Sequence, residues 1–374
     1  MKIFVPDFCN KILLPPPLES VVLGMSGGVD SSSTAAILKA NGNKVLGVFI
    51  ELFLSESVEK AKKDAKNMAK VVGIDFEVID YKQQFQQHVI EPFVEAYCSN
   101  QTPLPCSWCN RFIKFSALCE KADSISVKHV ATGHYVKTGL YEGITTLERA
   151  KDRKQDQSYF LHKVEYSQLT RAVFPLGNAS KRSVRDYAGQ IGLSVAEKKS
   201  LYDICFLADF QGEYISFINT YIKKNPEFAK RLALQPGEIL DKYGKKIGEH
   251  QGTFRYTIGQ RRGMGIAAQN PLYVLKMEEN RLIIGEKADL ATTNVNIKNV
   301  NFHKISDFFL KKNEKNKVLA QFRSTTPATP ATFTFSDSDY LVSFKDVQYG
   351  VSPGQAIVIR NENGTVLAGG TINN

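Results

Sequence analysis

From residue 20 onward the chain alternates short apolar runs with longer mixed ones. "VVLGM" (Val21 to Met25) has the length and branching of a buried strand, and "SSTAAILKANG" that follows is a helical pattern closed by Gly42. "KVLGVFI" (Lys44 to Ile50) predicts a second strand. The next stretch sets Ala61, Ala65, Met68, Ala69 and Val72 on one helical face, with Gly73 as its stop. Asp75 to Asp80 predicts a third strand and Val127 to Tyr135 another. Strands separated by helices imply parallel pairing with helices on both faces, and ligands at the carboxyl ends of the strands. The texture changes near residue 210. Pro236 to Ile266 is dense in glycine, as turns between short strands would be, and from about 290 "VNIKNVNF", "KVLAQFRS", "ATFTF" and "QAIVIR" alternate in twos. That predicts a small antiparallel barrel or sandwich.

The join between the first strand and helix is "SGGVDS". Gly27 and Gly28 permit a sharp turn whose freed N–H groups face outward at a helix N-terminus, an anion site. No lysine follows, so this is not the loop that grips transferred γ-phosphates. The plain alternative is a tight turn capped by Ser31 or Asp30.

Composition sharpens this only partly. In 374 residues, 43% hydrophobic, there is chain enough for two or three domains. No apolar run approaches a membrane span, and the first twenty residues lack a signal-peptide core, so a cytoplasmic protein is expected. The net charge of +10 suits a polyanionic partner. Six cysteines in such a chain point to reactive or metal-binding thiols rather than staples.

In "TPLPCSWCNRFIKF", Pro103 and Pro105 exclude helix and predict an exposed loop carrying Cys106 and Cys109 in C-x-x-C spacing. Zinc lacks a second pair here, and a redox pair lacks its usual small fold. A nucleophilic thiol beside Arg111 and Lys114 is the third possibility, since cations favour thiolate. Cys205, in "DICFL", reads as a core residue or a reagent. His134, in "ATGHY", reads as structural or as an active-site edge. In "QDQSYFL", Asp156 is a candidate for magnesium or a base edge, or part of a polar turn.

Together "GMSGGVDSS", "TPLPCSWCNRFIKF", "ATGHY", "QDQSYFL", "DICFL", "YTIGQRRGMGI" and "VSPGQAIVI" resemble the tRNA-specific 2-thiouridylases, in family order from about residue 20 to the end. The resemblance implies an α/β fold: an N-terminal extension (1–19) and a parallel-sheet, adenine-nucleotide α-hydrolase-like (PP-loop) ATP-pyrophosphatase domain (20–212). A small central domain (213–288) and a C-terminal antiparallel β-barrel that contacts tRNA (289–374) follow. It implies ATP and Mg2+, adenylation of uracil O2 at the wobble uridine, and sulfur delivery from a cysteine persulfide. Gly24, Met25, Ser26, Gly27, Gly28, Val29, Asp30 and Ser31 match the ATP loop. Gly133 matches a further ATP contact, and Ile50 stands where a methionine meets adenine. Cys109 matches the nucleophile and Cys205 the persulfide carrier, on loops expected to meet when tRNA binds. Positions matching tRNA contacts are Leu104, Pro105 and Cys106 (where many relatives have "NPD"), Gln155, Asp156 and Gln157 (usually "KDQ"), and Gln321 and Phe322 (usually Arg-Tyr). Expected partners are the lysine, glutamate and glutamine tRNAs and a persulfide carrier or cysteine desulfurase. The alternatives are another adenylating enzyme on the same fold and a non-catalytic tRNA-binding protein.

Overall fold

The structure, a computed structural model, describes residues 2–197 and 204–373. Asp203, which opens the "DICFL" string, lies outside them. The first strand, β1 (Ser20–Gly24), is buried through its middle three residues. It pairs in parallel with β2 (Lys44–Glu51) on one side and β4 (His129–Ala131) on the other. Beyond β2 lies β3 (Asp75–Asp80), and the hairpin of β5 (Val136–Tyr141) and β6 (Ile144–Arg149) precedes β7 (Ala172–Val173), which pairs with β4. The sheet order is therefore β3-β2-β1-β4-β7. All its pairs are parallel, and the order in which strands are added reverses between β1 and β4, so the crevice for a ligand opens at their carboxyl ends.

The first two helices follow the sequence pattern. Helix α1 (Val29–Ala40) is buried on nearly every face, and α2 (Glu56–Val72) starts on a Ser55 cap and stops at Gly73 in the left-handed region. Two expectations change. The strand predicted over Val127 to Tyr135 is confined to β4, because the Val127 N–H closes the preceding helix on Ala122 and Gly133 turns the chain outward. The loop predicted around the two prolines holds through Pro103 and Leu104, but from Pro105 onward the chain is helical. Pro105 takes its first position, where a missing N–H costs nothing, and the chain runs on as a wider π turn (Cys109–Phe115) into Ser116–Ser124. Cys109 is consequently buried.

Residues ahead of β1 strap this domain. The Phe4 ring meets the edge of Tyr187, whose hydroxyl donates to the Phe4 carbonyl at 2.8 Å, and Asn41 donates to the Pro15 carbonyl. Further on, β8 (Gly237–Asp241), β9 (Lys246–His250), β10 (Tyr273–Glu278) and β11 (Arg281–Gly285) form a sheet in the order β10-β11-β8-β9. The last six strands are β12 (Ala291–Phe302), β13 (Asn316–Gln321), β14 (Thr329–Phe335), β15 (Tyr340–Tyr349), β16 (Ala356–Arg360) and β17 (Val366–Ile372). They close into an antiparallel barrel, which decides barrel over sandwich and leaves no free edge. All three regions meet at one place. The Thr102 N–H donates to the Pro353 carbonyl at 2.8 Å, Gly354 at φ 89° lies against Thr102, and the Ser352 hydroxyl donates to the Ile258 carbonyl at 3.2 Å.

Where barrel meets sheet domain, His162 and His303 are fully buried. His162 donates to the Tyr159 carbonyl at 2.7 Å and His303 to the His162 carbonyl at 3.0 Å. Burial pushes His162 down to about 3 and His303 down to about 4, from 6.5. Both values lie below those of the unfolded chain, so the unfolded state takes up more protons. Their contribution is complete above pH about 6.5 and is lost as pH falls toward those values. Calorimetric melting temperatures should therefore decline across that window, and less steeply in His303→Gln, which keeps a donor but does not titrate.

Candidate active site

A cleft of about 440 Å³ opens where the sheet topology places it, walled by Gly24, Met25, Ser26, Asp30 and Ser31 on one side and Gly133, His134 and Gln157 on the other. Gly27 has φ 70°, and a Cβ there would collide with the Ala61 carbonyl of α2, so only glycine lets the loop lie this close. Gly28 is the N-cap of α1 with no side-chain cap, in place of the Ser31 or Asp30 cap considered above. Ser31 instead braces the loop: it accepts from the Ser26 N–H and donates to the Gly28 carbonyl, both at 3.2 Å. The first N–H groups of α1 are thus left for a ligand, with the helix dipole behind them. The chain after β4 passes tightly overhead, since a Cβ on Gly133 would stand 2.9 Å from the Ser31 nitrogen. Ile50 lines the cleft, while Gly27, Gly28 and Val29 belong to the loop but not to the cleft wall.

Asp30, among the described residues the one carboxylate on the cleft wall, is held at both oxygens. Tyr135 donates to it at 2.7 Å and Lys181 pairs with it at 2.6 Å. Neither partner was a candidate from the sequence, although Tyr135 closes the "ATGHY" string; Lys181 opens the helix that Ser180 caps. No group of three potential ligands for a metal ion occurs among the described residues.

Cys205 lines the cleft and Cys109 is buried behind it, beside Phe206 and Leu207; neither is in a disulfide. Burial pushes the Cys109 thiol up to about 12, Lys114 opposes this, and Cys205 and Cys106 add to it. Cys205, an exposed residue whose thiol is hemmed by the cleft, is also raised by lost hydration. Lys114 and the Phe206 N–H oppose that rise. Two expectations are corrected here. Arg111 does not favour thiolate at Cys109, because it turns to Glu165 at 2.5 Å; Lys114 is the cation that acts, and burial outweighs it. The two cysteine segments also pack together in the chain by itself, since Phe206 and Leu207 share the apolar cluster of Cys109. His134 lies flat over Phe115, bonds Thr132 at 2.8 Å and is pushed down to about 3 by burial, so it serves as a neutral imidazole.

The residues matched to tRNA contacts divide. Gln157 lines the cleft and accepts from the Tyr135 N–H at 2.9 Å; Gln155, Leu104 and Cys106 are half-buried, and Pro105 is buried. The Asp156 carboxylate is spent on structure: it pairs with Arg149 at 2.7 Å and accepts from Ala150 and twice from Ser158. It therefore presents nothing to magnesium or a base. Gln321 and Phe322 are only 4% and 5% exposed. Gln321 accepts from the buried Arg360 at 3.1 Å and donates to the Thr326 carbonyl, while Phe322 packs on Phe344. In this structure neither offers a side chain to RNA.

Family models match three stretches: one described as a tRNA methyl transferase HUP domain (residues 19–209), one as a tRNA methyl transferase PRC-barrel domain (227–286), and one as an aminomethyltransferase beta-barrel domain (292–372). A tRNA-specific 2-thiouridylase MnmA from Bradyrhizobium sp. (strain BTAi1) is 39% identical over 374 residues, covering 96% of this chain and 91% of that protein. The chain belongs to the tRNA-specific 2-thiouridylase family. MnmA proteins of Syntrophotalea carbinolica and Bartonella bacilliformis are each 37% identical, over 95% and 98% of this chain and 98% and 95% of theirs. Gly24, Met25, Ser26, Asp30, Ser31, Ile50, Gly133 and Cys205 all line the one cleft.

Two substitutions separate site from scaffold. Gly133→Ala should weaken nucleotide binding at least tenfold by calorimetric titration, because the added methyl presses on the α1 N-terminus; unchanged affinity would place the nucleotide elsewhere. Gln321→Ala should lower stability by about 1.5–3 kcal/mol, the scale for a bond to a charged group. It should leave tRNA affinity by filter binding within twofold.

Proposed function

We propose that this chain is an ATP-dependent sulfurtransferase that makes 2-thiouridine at the wobble uridine of tRNA, acting in the cytoplasm. What carries the reading is that one cleft holds both an uncapped helix N-terminus behind a glycine loop and a thiol, with a second thiol directly behind it. The family-model descriptions speak of methyl transfer and the curated relatives of thiolation. Paired thiols at an anion site favour thiolation.

ATP, when bound, supplies the adenylyl group that makes the uracil O2 a leaving group. The chain's residues do the rest. The α1 N–H groups and Ser26 hold the phosphates, Ile50 meets the base, and Gly133 keeps the approach open. Cys205 carries a sulfane sulfur supplied by a persulfide carrier or cysteine desulfurase. Cys109, as thiolate, attacks the Cys205 Sγ; the disulfide forms and hydrosulfide leaves. Hydrosulfide then adds to C2, and AMP departs with the former O2. The disulfide is returned to two thiols by an external dithiol. Gln157, which lines this cleft, and the half-buried Leu104, Cys106 and Gln155 are the side chains proposed to meet the anticodon.

Unmodified lysine, glutamate and glutamine tRNA transcripts should gain 2-thiouridine, read by mass spectrometry of digested RNA, when ATP, Mg2+ and a persulfide source are supplied. Cys109→Ser should abolish product while tRNA affinity stays within about twofold. Product without ATP, or from Cys109→Ser, would overturn the mechanism. The affinity should fall linearly in logarithm with salt, as phosphate contacts require.

A further inference from the structure

Both thiols of this site are raised by burial, yet the proposed chemistry needs one of them ionised. The cleft therefore requires a counter-charge, and its walls hold few ionisable groups. Asp30 is saturated by Tyr135 and Lys181, and His134 is neutral. Arg111 is turned to Glu165. Lys114 remains. It lines the same cleft as Cys205, on the same helix as Cys109. Its placement follows from the π turn. In an ordinary helix, 3.6 residues per turn would swing a side chain five positions on away from Cys109. Bonding from i to i+5 widens the turn and brings Lys114 back toward that side. The neighbouring Ile113 and Phe115 are fully buried and fix the rotation of the segment.

We propose that Lys114 is the shared counter-cation of Cys109 and Cys205, a positioning residue that stabilises whichever of the two sulfurs is ionised. The proton lost from the thiol passes to solvent; no other group need accept it. Lys114 is the cation that acts on both sulfurs; Cys205 and Cys106 act on Cys109 in the opposite sense, while at Cys205 the Phe206 N–H works with Lys114 against burial. The use of this thiolate in sulfur delivery rests on the proposed function, but the electrostatic effect does not, and it is measurable on the protein alone.

The test is site-resolved alkylation by iodoacetamide, followed across pH by mass spectrometry, with no RNA or nucleotide present. Lys114→Met should move the Cys205 labelling profile to higher pH and slow labelling at pH 7.5 by roughly three- to tenfold, as one pKa unit is about tenfold in thiolate. Lys114→Arg should restore most of the rate. Cys9, Cys98 and Cys119, whose shifts owe nothing to Lys114, should label as before. If they label faster, the methionine variant has loosened, and Lys114→Gln takes its place with the same expectation. An unchanged Cys205 profile, or an arginine variant no faster than the methionine one, would overturn the proposal. Absence of 2-thiouridine from the unmodified protein would instead count against the proposed function, leaving this profile to stand.

Discussion

The close approach of two chain segments at the head of α1 is the constraint on which the site depends. The order in which strands are added reverses between the parallel β1 and β4, and the chain leaving β4 comes up against the helix N-terminus that follows β1. Gly27 lets the first loop press on α2, and Gly133 lets the second pass within van der Waals reach of the Asp30 and Ser31 backbone. The helix is left without a side-chain cap, so its dipole and N–H groups stay available. Lys181 and Tyr135 then hold Asp30 still beside them. Anion binding here is a property of backbone geometry, with side chains restricted to bracing it.

The same economy holds at the sulfurs. Cys109 is packed into a mainly aromatic and aliphatic cluster that includes Phe93, Ile113 and Phe206, an environment that keeps a thiol protonated and unreactive. Cys205 faces the cleft and is the sulfur that solvent-borne reagents reach. A buried thiol behind an open one gives an order of access: a reagent in solvent meets the outer sulfur first, and the inner one is reached only from within the protein.

Much of this was legible in the chain. The apolar run at β1, the glycines after it and the stop at Gly73 are local signals, and local signals survive folding. What was not legible came from tertiary competition. Two prolines read as a loop because proline blocks helix interiors, yet Pro105 occupies the one helical position that tolerates it. Asp156 and Gln321 looked available because sequence shows polarity but not partners; Arg149, Ser158 and Arg360 claim them across distances no periodicity reports. Lys114 was read beside Arg111 as one of two equivalent cations, and only the π turn tells them apart.

The junction of Thr102 with Pro353 and Gly354 has a mechanical side. It ties the barrel, through one hydrogen bond and one glycine contact, to the segment that leads directly into the Cys109 helix, and Ser352 ties the same turn to the central region. A load applied to the barrel has a stiff, short path of three residues to Pro105. The barrel thus reaches the start of that helix across three residues rather than a long linker, in addition to its broader seat on Tyr159 and His162.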